Sequence, residues 1–119
     1  MIRIDVTRHA YDRMKERLGL NKKAAVRIAE MAYESGIRHG ETNGRLYRYI
    51  SKEARAYMRK GFCMKIYGET VFCFIDKVDQ DGGERITSLV TVWPIPQNLK
   101  NQVLGIQRRK KDEYGNENG

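Results

Sequence analysis

The sequence predicts an α+β fold in which an N-terminal strand and two helices pack on a small, mainly antiparallel sheet. Apolar residues recur at helical spacing through the first half of the chain and alternate at strand spacing over residues 62–93. The chain has 119 residues, of which 40% are hydrophobic, and this size suits one compact domain. We therefore expect a single domain over residues 1–106 and a polar, flexible tail over residues 107–119.

The N-terminal elements follow from local signals. Residues 2–6 alternate apolar and charged side chains, as a half-buried strand does. Thr7 is suited to cap a helix that ends at Gly19, and Asn21 is suited to begin a second helix that ends at Gly36. We expect these two helices to form a short helical hairpin.

A basic helix is predicted next. Residues 37–44 have the composition of a loop. Residues 45–60 repeat apolar side chains every four residues and predict an amphipathic helix, although "LYRYI" is also compatible with the start of a strand. The polar side of this helix carries Arg45, Arg48, Lys52, Arg55 and Arg59.

The segment "FCMKIYGETVFCFI", residues 62–75, predicts a β-hairpin with Gly68 and Glu69 as a two-residue turn. In that register the pairs are Tyr67 with Thr70, Met64 with Cys73, and Cys63 with Phe74. The two cysteines then point to opposite faces, which disfavours a disulfide and favours buried free thiols. The cysteines and histidines lack the spacing of a zinc site, so no metal is expected.

Alternation divides the hairpin and the following strand, "ITSLVTVW", into two faces. We expect the N-terminal helices to pack on the apolar face, formed by Phe62, Met64, Ile66, Val71, Cys73 and Ile75 with Ile86, Val90 and Val92. The other face carries Cys63, Lys65, Tyr67, Thr70, Phe72, Phe74, Thr87, Leu89, Thr91 and Trp93.

Two interpretations of this second face stay open. In one, nucleic-acid bases stack on Tyr67, Phe72 or Trp93 while Lys65 meets phosphate. In the other, the face is covered by helical turns over residues 99–103 or by a second copy of the protein. The expected homodimer contact is then formed by Phe72, Phe74 and Trp93.

Positive charge is concentrated in the first half of the chain. Residues 1–60 carry 15 Lys and Arg against 7 Asp and Glu, whereas residues 61–106 carry 4 against 5. This asymmetry predicts RNA, DNA or an acidic surface of a nucleic-acid-handling protein as partner. A basic helical surface kept for solubility is the structural alternative. No segment resembles a membrane span or a signal peptide, and we expect a cytoplasmic protein that does not bind membranes.

A candidate catalytic group lies on the first helix, where His9, Arg13 and Arg17 recur every four residues. A histidine beside guanidinium groups is suited to acid-base catalysis on an RNA phosphodiester. The alternative is an exposed, ion-paired helix face. His39, in a glycine-bounded loop, could approach the same region. The sequence contains no phosphate-binding Gly-rich loop and no acidic cluster for two-metal chemistry, so any RNA cleavage would be metal-independent and need no cofactor.

The spacing His-Ala-(x)2-Arg-Met-(x)2-Arg, formed by His9, Ala10, Arg13, Met14 and Arg17, directly follows the first strand. With the strands "KIYG...VFCFID...ITSLVTV", this run resembles the RelE/BrnT-like small toxin superfamily and phage proteins built like it. The resemblance leaves out residues 37–60 and the tail. It implies a sheet with helices on one side and, in the toxin members, a metal-independent ribonuclease. The implied site residues are His9, Arg13 and Arg17, with Lys65 and Tyr67 as weaker candidates.

The sequence thus predicts a nucleic-acid-interacting RelE/BrnT-like module that either cleaves RNA or only binds. The alternative is a phage or mobile-element inhibitor of the anti-CRISPR type, which binds a host nucleic-acid-handling protein without catalysis. The predicted nucleic-acid-binding residues are Arg45, Arg48, Lys52, Arg55, Arg59, Lys65 and Tyr67.

Overall fold

The computed structural model describes residues 3–57, 62–78, 82–83 and 85–116. The strands are β1 (Arg3–Val6), β2 (Ile37–Arg38), β3 (Phe62–Tyr67), β4 (Thr70–Val78) and β5 (Arg85–Pro94). The helices are α1 (Arg8–Leu18), α2 (Lys22–Ser35), α3 (Gly44–Glu53) and α4 (Lys100–Asn116). Short 3-10 turns lie at His39–Glu41, Ala54–Tyr57 and Gln97–Leu99.

One five-stranded sheet organises the molecule, with strand order β1-β5-β4-β3-β2. The edge strand β1 pairs with β5 in parallel, and the other neighbouring strands pair antiparallel. The predicted α+β class, with an N-terminal strand on a mainly antiparallel sheet, is confirmed. None of the helices in the described part of the chain is both long enough and apolar enough to cross a membrane.

The predicted helix caps are confirmed. The Thr7 hydroxyl oxygen accepts a hydrogen bond from the Ala10 amide at 3.2 Å, and Asn21 Oδ1 accepts one from the Ala24 amide at 2.8 Å. Gly19 ends α1 in the left-handed region with φ of 66°, a conformation that glycine adopts without steric cost. Local chemistry therefore determines where both N-terminal helices begin.

The predicted hairpin register is also confirmed, because Tyr67 pairs with Thr70 and Cys63 pairs with Phe74. Gly68 has φ of 62°, as the first central position of a tight hairpin turn requires. Cys63 and Cys73 consequently lie on opposite faces of the sheet, and both are free thiols.

The prediction of unbroken alternation along β5 was wrong at Val90. Cys73 pairs with Thr91 while Phe74 pairs with Leu89, so one extra residue of β5 stands between them as a β-bulge. The extra residue reverses the alternation, and Val92 shares a face with Leu89 instead of lying opposite to it. Thr7 binds at this bulge, since its hydroxyl donates to the Val90 carbonyl at 3.1 Å.

Helices cover both faces of the sheet. The two N-terminal helices lie on the face opposite to the one predicted for them. Buried residues of α1 and α2 pack with Phe72, Phe74, Leu89 and Val92. The face of Met64, Ile66, Val71 and Cys73 is covered by α3 and α4 instead. This two-sided packing also differs from the one-sided packing that the RelE/BrnT resemblance implies.

The expected dimer contact through Phe72, Phe74 and Trp93 is wrong for the two phenylalanines, because both are buried inside the protein. Phe72 is 1% exposed and Phe74 is 0% exposed, because the N-terminal helices cover them. Trp93 is half-buried and packs in the core on the opposite face. Because Phe72 is buried under the N-terminal helices, it cannot stack on a nucleic-acid base.

Two segments predicted to be irregular are ordered in the structure. The segment 37–44 contains the short strand β2 and a 3-10 turn, whereas a loop was expected. Helix α4 continues to Asn116, ten residues into the predicted flexible tail. Gln107 donates its side-chain amide to the Gly68 carbonyl at 3.1 Å, and Lys110 pairs with Glu41 at 3.1 Å, so the first turn of that segment is bound to the body of the protein.

Candidate nucleic-acid interface

Helix α3 presents its cationic side chains to solvent because its apolar side chains face the sheet. Leu46 and Ile50 are 0% exposed in the core beneath it. Arg45, Arg48 and Lys52, at spacings of three and four residues, share the opposite side and are exposed. We refer to Arg45, Arg48 and Lys52 as the basic face.

The predicted basic helix is confirmed over Gly44–Glu53 and continues as the 3-10 turn that carries Arg55. Arg55 is exposed directly beyond the basic face. Arg59, the last predicted cation of this series, lies outside the described residues.

In the part of the chain that the structure describes, the charges of the basic face are not neutralised by ion pairs. Within the described ranges, none of its three side chains, nor Arg55, has an ion-pair partner. Other cations do have partners: Arg38 and Lys110 pair with Glu41, and Lys100 pairs with Glu69 at 3.1 Å. The positive potential of the first half of the chain is therefore available to a polyanion at α3.

A solvent-open groove of about 460 Å³ runs beside the basic face. It is lined by Arg45, Arg48, Tyr49 and Lys52 from α3 and by Pro96, Asn98 and Leu99 from the segment that follows β5. The groove gives an extended chain a concave path along the cations.

Tyr49 joins this groove to the end of α1. Its hydroxyl donates to the Pro94 carbonyl at 3.4 Å. Burial raises the pKa of Tyr49, and the Glu53 carboxylate raises it further, while Arg17 and the Trp93 indole oppose the shift. The charge of Arg17 therefore acts on Tyr49 and adds to the positive potential there.

A stacked aromatic pair borders the basic face on its other side. The rings of His39 and Tyr47 are 4.3 Å apart between centroids and inclined by 15°. His39 Nε2 lies 3.0 Å from the Ser51 hydroxyl, whose proton is donated to the Tyr47 carbonyl at 2.8 Å. His39 Nε2 also lies 3.4 Å from the Tyr47 carbonyl oxygen, so Ser51 and the Tyr47 main chain both contact this edge of the imidazole.

The predicted catalytic residues share one side of α1, but the structure brings no second histidine to them. His9 and Arg17 are exposed, and Arg13 pairs with Glu16 at 3.6 Å. Helix α1 packs beside β5, whereas His39 follows β2 at the far edge of the sheet. The expectation that His39 could approach His9 was therefore wrong.

Lys65 and Tyr67 do not belong to the surface formed by α3. Both point to the opposite face of the sheet, where Lys65 Nζ lies 5.4 Å from the centroid of the Tyr33 ring. Tyr67 lines a separate cleft of about 500 Å³ between α2 and α4. The predicted binding set thus divides into a contiguous group on α3 and its following turn, and two residues elsewhere.

The thiols are poor nucleophiles. Burial, with a smaller contribution from Cys63, raises the pKa of Cys73 to about 12. Burial also raises the pKa of Cys63, with Asp76 adding to the shift while Lys65 and Arg38 oppose it. In the part of the chain that the structure describes, no group of three or more His, Cys, Asp or Glu side chains is arranged to hold a metal.

Comparisons with protein-family models, with curated proteins and with solved structures found no match. The RelE/BrnT-like resemblance remains a prediction from the sequence motifs of α1 and the strands.

Sequence reasoning missed the aromatic borders of the basic face. The signal was present in "RLYRYI", where Tyr47 and Tyr49 alternate with Arg45 and Arg48. Aromatic residues interleaved with basic ones are typical of single-strand binding surfaces. The contact of His39 with α3 had no local signal, because it depends on how the chain turns at Thr42 and Asn43 between the 3-10 turn and α3.

Proposed function

We propose that the protein is a nucleic-acid-binding module of the RelE/BrnT-like type and that it binds the phosphate backbone through the basic face of α3. The observation that carries this proposal is the set of three exposed cations without ion-pair partners in the described structure. Phosphate contacts provide most of the affinity of sequence-independent binding, because each one releases condensed counterions.

The groove supports this proposal through its shape. Its cations line one wall, and Pro96, Asn98 and Leu99 line the other. A chain of phosphates lying in the groove would meet Arg45, Arg48 and Lys52 in succession. Arg17, whose charge acts on Tyr49, would extend the track toward α1.

The expected effect of the basic face can be worked from counterion release. Three contacts on a single strand release about 0.7 counterion each, which corresponds to about a 50-fold contribution to affinity at about 0.15 M salt. The direct test is fluorescence anisotropy with labelled RNA and DNA for the variant Arg45→Gln/Arg48→Gln/Lys52→Gln.

A matched control removes three charges from the other side of the sheet. Lys15, Lys23 and Arg27 are exposed on α1 and α2. The variant Lys15→Gln/Lys23→Gln/Arg27→Gln has the same net charge as the α3 variant and should bind almost as well as wild type. Equal losses in both variants would mean that net charge, and not the basic face, determines binding.

The catalytic form of the proposal assigns RNA cleavage to His9, Arg13 and Arg17. Arg17 connects this assignment to the groove because its charge acts on Tyr49, and His9 and Arg13 lie on the same side of α1. His9 would exchange protons with the 2′-hydroxyl or the leaving oxygen, and the arginines would stabilise the developing phosphorane charge. DNA, which lacks the 2′-hydroxyl, should remain intact. RNA degradation that persists in both His9→Ala and Arg13→Ala proteins would exclude this assignment.

The second candidate is an inhibitor of the anti-CRISPR type that binds an acidic surface of a nucleic-acid-handling protein. The separation of His9 from His39 favours a function without catalysis. Recovery of one protein partner from nuclease-treated host lysate by wild type, but not by the α3 charge variant, would support it. Recovery of no partner, together with binding of purified nucleic acid, would exclude it.

A further inference from the structure

Tyr47 is an exposed aromatic side chain with a preformed backing. It is 44% exposed, although it is a large side chain on a helix that otherwise buries its apolar residues. The ring of His39 covers one side of the Tyr47 ring at a centroid distance of 4.3 Å. With His39 against one side of the ring, a further planar group has to approach the remaining exposed surface of Tyr47.

His39 is held from two directions. Its ring contacts the Ser51 hydroxyl at 3.0 Å, and its carbonyl accepts hydrogen bonds from the Thr42 hydroxyl at 2.6 Å and the Thr42 amide at 3.1 Å. A ring fixed in this way holds Tyr47 in one orientation before any ligand arrives. Stacking on such a pair costs less conformational entropy than stacking on a mobile tyrosine.

The position of Tyr47 relative to the cations has the arrangement of a single-strand binding site. Arg48 is the next residue on α3 and is displaced by about 100° around the helix axis. A base stacked on Tyr47 would thus leave its phosphate on the side of Arg48 and Lys52. In a duplex the bases are stacked on each other and paired, so only the phosphates would reach this surface.

We propose that the basic face takes single-stranded nucleic acid, with one base stacked on the Tyr47 ring in the Tyr47–His39 pair and the adjoining phosphates on Arg48 and Lys52. This inference rests on the proposed nucleic-acid binding and names its substrate class. Stacking does not distinguish RNA from DNA, so both are included in the test.

The test measures the affinity of labelled single strands of about twelve nucleotides, as RNA and as DNA, and of blunt duplexes of the same sequence. Wild type should bind the single strands more tightly than the duplexes. Tyr47→Ala should weaken single-strand binding by about fivefold to 100-fold and leave duplex binding unchanged. Tyr47→Phe, which keeps the ring, should retain wild-type affinity. Leu104→Ala, which truncates an apolar side chain of α4 that is 40% exposed, is the matched control and should have no effect.

The position of the base is tested by photo-cross-linking with a single strand that contains 5-iodouracil. Trypsin cleaves after Arg45, Arg48 and Lys52, so the peptide 46–48 reports on Tyr47 and the peptide 49–52 reports on Tyr49. A cross-link in peptide 46–48 is expected. A cross-link confined to another peptide would overturn the assignment to Tyr47.

Failure of this inference differs from failure of the proposed function. Loss of binding in the α3 charge variant with full binding by Tyr47→Ala would overturn the stacking site alone. Equal affinity of wild type for single strands and duplexes would do the same. Absence of binding to every strand and duplex would overturn both proposals.

Discussion

Gly36, at the junction of α2 and β2, is a position where adding one methyl group should destabilise the protein. A Cβ atom there would overlap the Ala32 carbonyl oxygen and would lie 2.9 Å from Lys65 Cβ and 3.1 Å from the Ile66 carbonyl oxygen. Close carbon-to-oxygen contacts in proteins are about 3.3–3.6 Å, so the added Cβ atom would lie too close to both carbonyl oxygens. Both oxygens belong to the main chain and cannot turn away as a side chain would.

The magnitude follows from this geometry. Overpacking a protein core lowers the free energy of unfolding by about 1–3 kcal/mol. Because the main-chain atoms around Gly36 cannot move easily, we expect a loss of about 3 kcal/mol for Gly36→Ala. With an unfolding entropy of about 2.1 cal/mol/K per residue, this corresponds to a fall in Tm of about 12 °C. Gly36 has φ of −67°, which alanine adopts readily, so the effect isolates the steric clash from backbone strain.

Gly40 provides the matched control for this measurement. A Cβ there would meet no atom within 4 Å, and its φ is not positive. We expect Gly40→Ala to change the free energy of unfolding by less than about 1 kcal/mol, in the stabilising direction. Thermal and urea unfolding followed by circular dichroism measure both variants. Equal stability of the two variants would refute the close packing of α2 on β3.

Three further predictions concern the core, an ion pair and the thiols. Phe74→Ala should lower the free energy of unfolding by about 3–5 kcal/mol and leave the mass of the protein in solution unchanged. If the substitution dissociated a dimer, Phe74 would have to lie in an intermolecular contact, against its burial in the core. Although burial raises the pKa of Glu41, hydrogen bonds from Arg38 and Lys110 outweigh it and hold the pKa below its usual 4.5. The resulting stability is present above pH 4.5 and is lost as pH falls through the lowered pKa. The difference in unfolding free energy between wild type and Glu41→Gln should therefore shrink below pH 4.5. A difference that stays constant with pH would contradict the ion pairing. Alkylation at neutral pH followed by mass spectrometry should modify Cys63 slowly and Cys73 more slowly still, and rapid modification of Cys73 in the folded protein would contradict its burial.

Local chemistry in the sequence was sufficient to predict the N-terminal helices and the hairpin. Thr7, Asn21 and Gly68 each act through their immediate neighbours, and the structure has the caps and the turn that they predict. The side of the sheet on which each helix packs was not predictable in the same way. Both faces of the hairpin carry apolar residues, so alternation alone does not specify which helices cover which face.

The bulge at Val90 shows why strand faces were assigned incorrectly. A β-bulge inserts a residue without a distinctive composition, and the sequence "ITSLVTVW" alternates plausibly in either register. Its position depends on tertiary structure, because Thr7 from the start of α1 binds the Val90 carbonyl. The ordered continuation of α4 likewise depends on the long-range contacts of Gln107 and Lys110, in a segment whose composition is that of a disordered tail.

The candidate interface was partly predictable. The spacing of Arg45, Arg48 and Lys52 placed them on one side of a helix, and the structure has them there. Lys65 and Tyr67 are predicted from the second face of the hairpin, where Lys65 would meet phosphate while a base stacks on Tyr67. That face lies across the sheet from α3, and alternation does not specify which helices cover which face. The Tyr47–His39 stack joins α3 to the 3-10 turn that follows β2, and it could be recognised only in the folded structure.

The salt dependence of nucleic-acid binding tests the central claim most directly, because it counts the phosphate contacts that we propose for the basic face. We predict that the plot of log affinity against log salt for a single strand is less steep by about 2 for Arg45→Gln/Arg48→Gln/Lys52→Gln than for wild type. The Lys15→Gln/Lys23→Gln/Arg27→Gln control should keep the wild-type slope. A slope that is the same for wild type and the α3 variant would contradict the assignment of phosphate binding to Arg45, Arg48 and Lys52.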